Sequence, residues 1–395
     1  MDTQRLRFKG INGVEFPEWK KTSIEDLFEV SAGGDLDKDH FSHFKDDKHV
    51  YPIYANALTN GGLFGYSTKY TVAEKSITVT GRGEVGHATA RDGKYTPIVR
   101  LLVCKPKNNQ NTKFFEEAIN RTNIVIVSTG VPQLTVPQLK RIILPVPSLP
   151  EQQKIADLLS SYDEKISIQR ERVESLERRK KGLLQKIFSQ EIRFKAEDGG
   201  IYEKWESKTI GDVTVPTAGA TPSTKNGSYW IGGDIPWMSS GEVHNGQVFK
   251  TEKFITAKGY SNSSTKLLPP NTVVVALAGQ GKTRGSVAIT RIKLCTNQSL
   301  AGLVLKEGSN VISDYLYQYL KNQYSELRKV SSGDGGRGGL NLNIISEFPI
   351  ILPSLKEQRK IADFFTVIDD QINIEKERLV TMEAIKKGLL QGLFC

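Results

Sequence analysis

The chain is written twice, and this constrains its fold more than any other feature. Leu6-Arg7-Phe8-Lys9 returns as Ile192-Arg193-Phe194-Lys195, Trp19 as Trp205, Ile24 as Ile210, Asp26 as Asp212 and Ala32-Gly33 as Ala218-Gly219, all at an offset of 186. Farther along the offset is 206: PSLPEQQKIAD (Pro147 to Asp157) returns as PSLKEQRKIAD (Pro353 to Asp363), and KKGLLQ (Lys180 to Gln185) as Lys386 to Gln391. Between 147–188 and 353–394, 22 of 42 aligned residues are identical. The second copy holds 20 more residues, all between positions matching about Gly33 and Leu134 of the first. Self-similarity on this scale decides the architecture before any local reading does. Similar ends imply a common frame, and divergent middles imply that the frame presents two different surfaces.

The frame is a long helix used twice. Ser148 and Glu151 have the S-x-x-E spacing of a capping box, with Pro150 in the first turn, and Ser354 and Glu357 repeat it. Beyond lies a seam with alternating steps of four and three: Ile155, Leu159, Tyr162, Ile166, Gln169, Val173, Leu176, Lys180, Leu183, Ile187. The second copy gives Ile361, Phe365, Ile368, Ile372, Glu375, Leu379, Met382, Lys386, Leu389, Leu393. Sustained 3,4 spacing is the signature of a coiled coil, and polar residues interrupt both seams at the same two places, where they fix register and partner. The two helices, alike in length and pattern, are each other's natural partner. An antiparallel pair about 60 Å long would hold two globular domains at opposite ends, related by an approximate two-fold axis.

The segments 20–146 and 206–352 hold short β-rich runs, such as Ser76 to Val79 and Thr272 to Ala276, separated by Gly, Asn and Ser turns. Each offers a late helix, at about Lys113–Arg121 and at Ser313–Val330, and a last strand such as Arg141 to Val146 leading into the long helix. The expected fold is therefore α+β: two mixed α/β domains joined by two long helices that form an antiparallel coiled coil, a pseudo-two-fold internal repeat. The expected boundaries are 1–147 and 191–353 for the domains, 148–190 for the central helix and 354–395 for the C-terminal helix.

Two runs imitate nucleotide sites. Gly81-Arg82-Gly83-Glu84-Val85-Gly86 matches GxGxxG, and Ala276 to Thr283 (ALAGQGKT) resembles a loosened phosphate-binding loop. Both chemistries need a helix directly after the loop. The first run continues instead into strand and turn (His87 to Gly93), and the second into strand (Ser286 to Thr290). Each is therefore read as a β-turn carrying Gly, Arg and Lys at corresponding places in the two copies. There is no HExxH, no GxSxG, no NPPY or DPPY tetrapeptide and no plausible set of metal ligands; His40, His43 and His49 read as solvated loop residues. No catalytic residue, metal or cofactor is expected.

Charge says what the surfaces face. The net charge is +10 and the pI about 9.2. The excess is spread, with 20 basic against 16 acidic residues in 1–149 and 18 against 14 in 191–352, which suits folded surfaces meeting a polyanion. Cys104, Cys295 and Cys395 are far apart and form no CxxC pair, so a reducing, cytoplasmic setting is expected. The polar start Asp2-Thr3-Gln4-Arg5 suggests no secretory signal, and no apolar run is long enough for a membrane span.

With these residues in hand the chain resembles the specificity subunit of type I restriction–modification enzymes over nearly its whole length. The motifs that carry the resemblance are PSLPEQQKIAD and PSLKEQRKIAD, Thr217-Ala218-Gly219-Ala220-Thr221-Pro222-Ser223, Gly233-Asp234-Ile235-Pro236-Trp237, Cys295-Thr296-Asn297-Gln298 and Gly339-Leu340-Asn341-Leu342. Copy one keeps less: Ser31-Ala32-Gly33-Gly34 and Gly130-Val131-Pro132-Gln133-Leu134. The resemblance implies a non-catalytic subunit that reads a bipartite target in double-stranded DNA, one half-site per domain, with the helical pair setting the spacer. It implies two methylation subunits and two restriction subunits as partners, and no membrane. The candidate DNA-binding residues are Arg82, His87 and Gln133 in the first domain and Lys282, Thr283, Arg284 and Arg337 in the second, since Arg or Lys to guanine and Asn or Gln to adenine are the usual pairings. The competing readings are a duplicated coiled-coil scaffold that binds protein or glycan, with no salt-dependent DNA affinity, and an enzyme that uses a Gly-rich loop to bind a nucleotide.

Overall fold

The computed structural model describes residues 6–10, 13–124, 132–279, 281–331 and 339–394. It divides into two compact units, one built from 1–170 and 377–395, the other from 171–376. Each long helix therefore contributes one segment to each unit.

In the first unit, Lys20–Ser23 pairs antiparallel with Ile143–Val146, the strand that leads into the central helix Leu149–Phe188. The main sheet runs in the order Phe28–Ala32, Leu102–Pro106, Ser76–Val79, Ala88–Arg91, all antiparallel. A smaller sheet is ordered Phe41–Ser42, Leu63–Ser67, Tyr51–Tyr54, Thr96–Pro97, its last pairing parallel. The helix Thr112–Arg121, capped by the Asn111 side chain, lies against the main sheet and buries Phe114, Phe115 and Ile119. The core joins these to Ile24, Phe28, Ile77 and Val79, and to Ile155 and Leu159 of the central helix and Leu393 of the C-terminal one. Each such side chain contributes about 1.5–3 kcal/mol by leaving water.

The second unit repeats the plan. Glu206–Thr209 pairs with Pro349–Leu352, which leads into the helix Leu355–Phe394. The main sheet runs Thr214–Ala218, Leu300–Leu305, Val273–Ala276, Val287–Thr290, Gln247–Val248. The smaller sheet runs Lys253–Ile255, Ile235–Met238, Cys295–Thr296, again with a parallel last pairing. Ala32-Gly33 and Ala218-Gly219 recur because a side chain cannot fit there: a Cβ on Gly33 would lie 2.6 Å from the Pro97 carbonyl oxygen, and one on Gly219 2.1 Å from that of Thr296.

All ten seam positions of each helix are buried or half-buried. Inside the first unit Arg170 meets Glu383 and Lys386 meets Asp163; inside the second Arg172 meets Glu375 and Lys180 meets Asp369. As one number rises its partner falls, so the paired segments run antiparallel in both. The seam is not purely helix on helix, however. Ile155, Ala156 and Leu159, like Ile361, Ala362 and Phe365, face the core of their own globular unit.

Three local expectations differ from what forms. The capping boxes are not made: the Ser148 and Ser354 hydroxyls have no hydrogen-bond partner among the described residues, and Glu151 and Glu357 are fully buried. Glu151 instead accepts from Arg7 Nη2 at 3.2 Å. Glu357 accepts from Arg193 Nη2 at 2.7 Å and from Trp205 Nε1 at 2.9 Å. Trp19, the counterpart of Trp205, leaves its Nε1 without a partner among the described residues and packs edge-on against Phe114. The rest of the repeated motif has comparable duties. Gln152 holds the Asn111 N–H and the Pro147 carbonyl, Gln358 holds the Ile312 N–H and the Pro353 carbonyl, and Lys154 and Lys360 cap the Lys9 and Lys195 carbonyls. The expected helix 313–330 is two, Ser313–Asn322 and Tyr324–Val330, broken at Gln323 so that Leu327 turns into the core. The strand expected from Arg141 begins at Ile143, because the short helix Val136–Lys140 ends on Arg141.

Candidate nucleic-acid interface

In the first unit the GxGxxG run is the turn joining the adjacent antiparallel strands Ser76–Val79 and Ala88–Arg91. Thr80 organises it. Its hydroxyl donates to the Glu84 carbonyl and accepts from the His87 N–H at 2.9 Å, while its own carbonyl accepts from the Gly86 N–H at 2.7 Å. Gly83 and Gly86 sit at φ of 71° and 87°, which residues with a Cβ rarely adopt. Arg82 and His87 are left exposed on the outside of the turn. The Leu134 N–H bonds to the Gly81 carbonyl at 2.9 Å, which brings half-buried Gln133 beside Arg82. All three candidates of this copy therefore lie on one surface.

That surface has a fourth member that the sequence did not reveal. Asn56 accepts the Gly81 N–H at 2.7 Å and donates to the Val99 carbonyl at 2.6 Å. Val99 and the exposed Arg100 are both left-handed, at φ of 54° and 63°. A β-branched residue in that region is strained, and such strain collects at functional sites. A Cβ on Gly81 would lie 3.3 Å from the Arg100 carbonyl oxygen, so Arg100 stands beside Arg82.

The second unit builds the matching turn differently. Gly281 and Gly285 have φ of 64° and 83°, and the strand Val287–Thr290 follows at once. The turn is braced by Tyr324–Val330: the Tyr324 hydroxyl donates to the Lys282 carbonyl at 2.9 Å, and Arg328 Nη1 to that of Gly281 at 2.6 Å. Lys282 is exposed, whereas Thr283 and Arg284 are half-buried. Leu340 bonds to the Leu277 carbonyl at 3.1 Å, the counterpart of the Leu134–Gly81 bond. Arg337, nominated from the sequence, lies outside the described residues. The TAGATPS and CTNQ runs meet here: the Ala220 N–H bonds to the Thr296 carbonyl at 2.9 Å, and the Thr221 hydroxyl donates to the Gln298 side chain at 2.6 Å. Exposed Gln298 was not nominated, although its run was noticed.

Neither Gly-rich turn opens a helix, so the helix N-terminus that would receive a phosphate is missing from both. Among the described residues no group of three or more His, Cys, Asp or Glu side chains is placed to hold a metal ion. His49 bonds to Asp46, His40 to Thr68, and His43 packs edge-on against Phe41. Cys104 and Cys295 are buried and form no disulfide among the described residues, and burial pushes the Cys104 thiol up to about 12. Among the described residues no helix is long and apolar enough to cross a membrane.

Comparison with known proteins is consistent with this duplicated geometry. The family model for the type I restriction modification DNA specificity domain matches residues 17–178 and again 202–384. The chain is 34% identical over 212 residues to the type I restriction enzyme MjaIX specificity subunit of Methanocaldococcus jannaschii, covering 52% of this chain and 48% of that protein. It thus matches about half the length of that relative. A putative MjaX specificity subunit from the same organism is 24% identical over 98% of this chain and 95% of its own length. In fold, the chain is similar to the crystal structure of a type I restriction–modification S subunit from M. genitalium, with a TM-score of 0.68, 17% identity and coverage of 100% and 99%. The chain belongs to the type I restriction–modification specificity family and carries the family's DNA specificity domain twice.

Proposed function

We propose that this chain reads a bipartite DNA target for a type I restriction–modification complex, supplying sequence specificity and no chemistry. The domains 1–147 and 191–353 each read one half-site, and the helices 148–190 and 354–395 set the gap between them. Two methylation subunits and two restriction subunits complete the complex, in the cytoplasm. One observation carries the reading. Each unit presents a Gly-rich turn, fixed by an equivalent backbone bond (Leu134 to Gly81, Leu340 to Leu277), but carrying different side chains. The first offers Arg82, Arg100, His87 and Gln133; the second offers Lys282, Thr283, Arg284 and Gln298. Bidentate pairing of Arg with guanine and of Gln with adenine gives the two sets different preferences.

Co-expression with the cognate methylation subunits tests the reading. Plasmid DNA should acquire adenine methylation at sites made of two fixed half-sites and a fixed gap, and the purified complex should bind DNA with an affinity that falls steeply with salt. No methylation above the host background, together with salt-independent binding, would sink it.

A further inference from the structure

Two polar clusters of the same design interrupt the helix seams, one inside each unit. In the second, Lys180 of the central helix places Nζ 2.5 and 2.6 Å from the two carboxylate oxygens of Asp369 on the C-terminal helix. Gln318, on the globular helix Ser313–Asn322, donates to Asp369 Oδ2 at 2.8 Å. In the first unit the roles are exchanged. Lys386 of the C-terminal helix lies 2.5 Å from Asp163 of the central helix and 3.2 Å from Glu117 of the globular helix Thr112–Arg121. Lys180 and Lys386 are repeat equivalents, as are Asp163 and Asp369.

Stability alone does not explain these clusters. An ion pair taken out of water loses about as much solvation as it recovers, and apolar residues of similar size often hold a seam as well or better. Their effect shows when the helices slide. A shift of one heptad places position 376 or 362 opposite Lys180, which is Lys376 in one direction and Ala362 in the other. The same shift places Arg170 or Ala156 opposite Lys386. Each slip leaves a lysine ammonium, buried for Lys180 and half-buried for Lys386, facing a cation or a methyl group without the carboxylate that offsets its desolvation. The third arm, Gln318 or Glu117, ties the globular part to the register so chosen. Gln318 is buried and its Oε1 has no hydrogen-bond partner among the described residues, so it stands at a cost that its bond to Asp369 must offset.

We propose that Lys180–Asp369–Gln318 and Lys386–Asp163–Glu117 are register keys, positioning residues that hold the helix pair in one register and each globular domain in one setting upon it, so that the target has a single gap length. The inference rests on the bipartite-reader function and deepens it. The test maps methylated sites by base-resolution sequencing in cells that carry the cognate methylation subunits. Wild type must first show bipartite sites with one gap; if it shows none, the bipartite reading fails before the keys are tested. The Lys180→Met/Asp369→Leu double variant should keep a melting temperature equal to or above that of wild type. Methylation of sites whose gap is one base pair longer or shorter should nevertheless rise by about tenfold or more, with the half-site bases unchanged. Gln318→Met leaves the Lys–Asp pair intact and should broaden the gap in the same direction, more weakly. A single gap in both variants overturns the proposal. If the double variant does not fold, Gln318→Met alone decides: a broadened gap supports the key and a fixed gap overturns it.

Discussion

Glu357 has no exposure, and two donors converge on it, a guanidinium and an indole N–H. Removing it strands a half-buried cation. Glu357→Ala should cost about 3–5 kcal/mol in chemical denaturation. Glu151→Ala should cost less, since Trp19 does not bond to Glu151; equal losses would mean that the indole bond contributes nothing. Lys180 offers a pH test. Burial, followed by the charge of Lys321, pulls its ammonium down to about 8, although Asp369 opposes the shift. Between pH 8 and the ordinary lysine value near 10.5, the unfolded chain holds a proton that the folded chain has released. Stability from this group therefore rises with pH across that window, by on the order of 1–3 kcal/mol. The difference in melting temperature between wild type and Lys180→Met should shift in favour of wild type from pH 8 to 10; a flat difference would show that Lys180 stays charged.

The long helices were legible in the sequence because their signal is local and periodic, and every seam position from Ile155 to Leu393 is at least half-buried. Ile166 and Ile372 are 6% and 5% exposed, so replacing both with Asp should place unpaired carboxylates in the seam. The double variant should lose helical circular dichroism and melt well below wild type; unchanged helicity and melting would contradict the seam. The misread glutamates show where local pattern fails. S-x-x-E spacing fits a capping box, but the partner that captures Glu151 is Arg7, 144 residues earlier. The break at Gln323 left no mark either, because neither Gly nor Pro stands there. At the interface, the Gly-rich turns were legible because left-handed turns select glycine. Arg100 was not, because its left-handed corner is built by Val and Arg and held by distant Asn56.

At the scale of the whole molecule, the proposed function makes the half-site bases and the gap between them independent quantities. In the proposed reader, bases belong to side chains on the turns and gap length to the helices. Arg82→Ala should therefore relax the first half-site alone, losing about 1–3 kcal/mol of discrimination at one base if it reads guanine. Methylation mapping should show the second half-site and the gap unchanged; loss at both halves would contradict independence. The converse change tests the account most directly. Inserting four residues after Ser175 and four after Thr381 lengthens both helices by about 6 Å and roughly one turn. With DNA rising about 3.4 Å per base pair, the methylated sites of this variant should keep both half-sites and gain a gap longer by about one or two base pairs. Retained methylation at the original gap would show that the helices are not the ruler, and altered half-site bases would show that the two domains do not read independently.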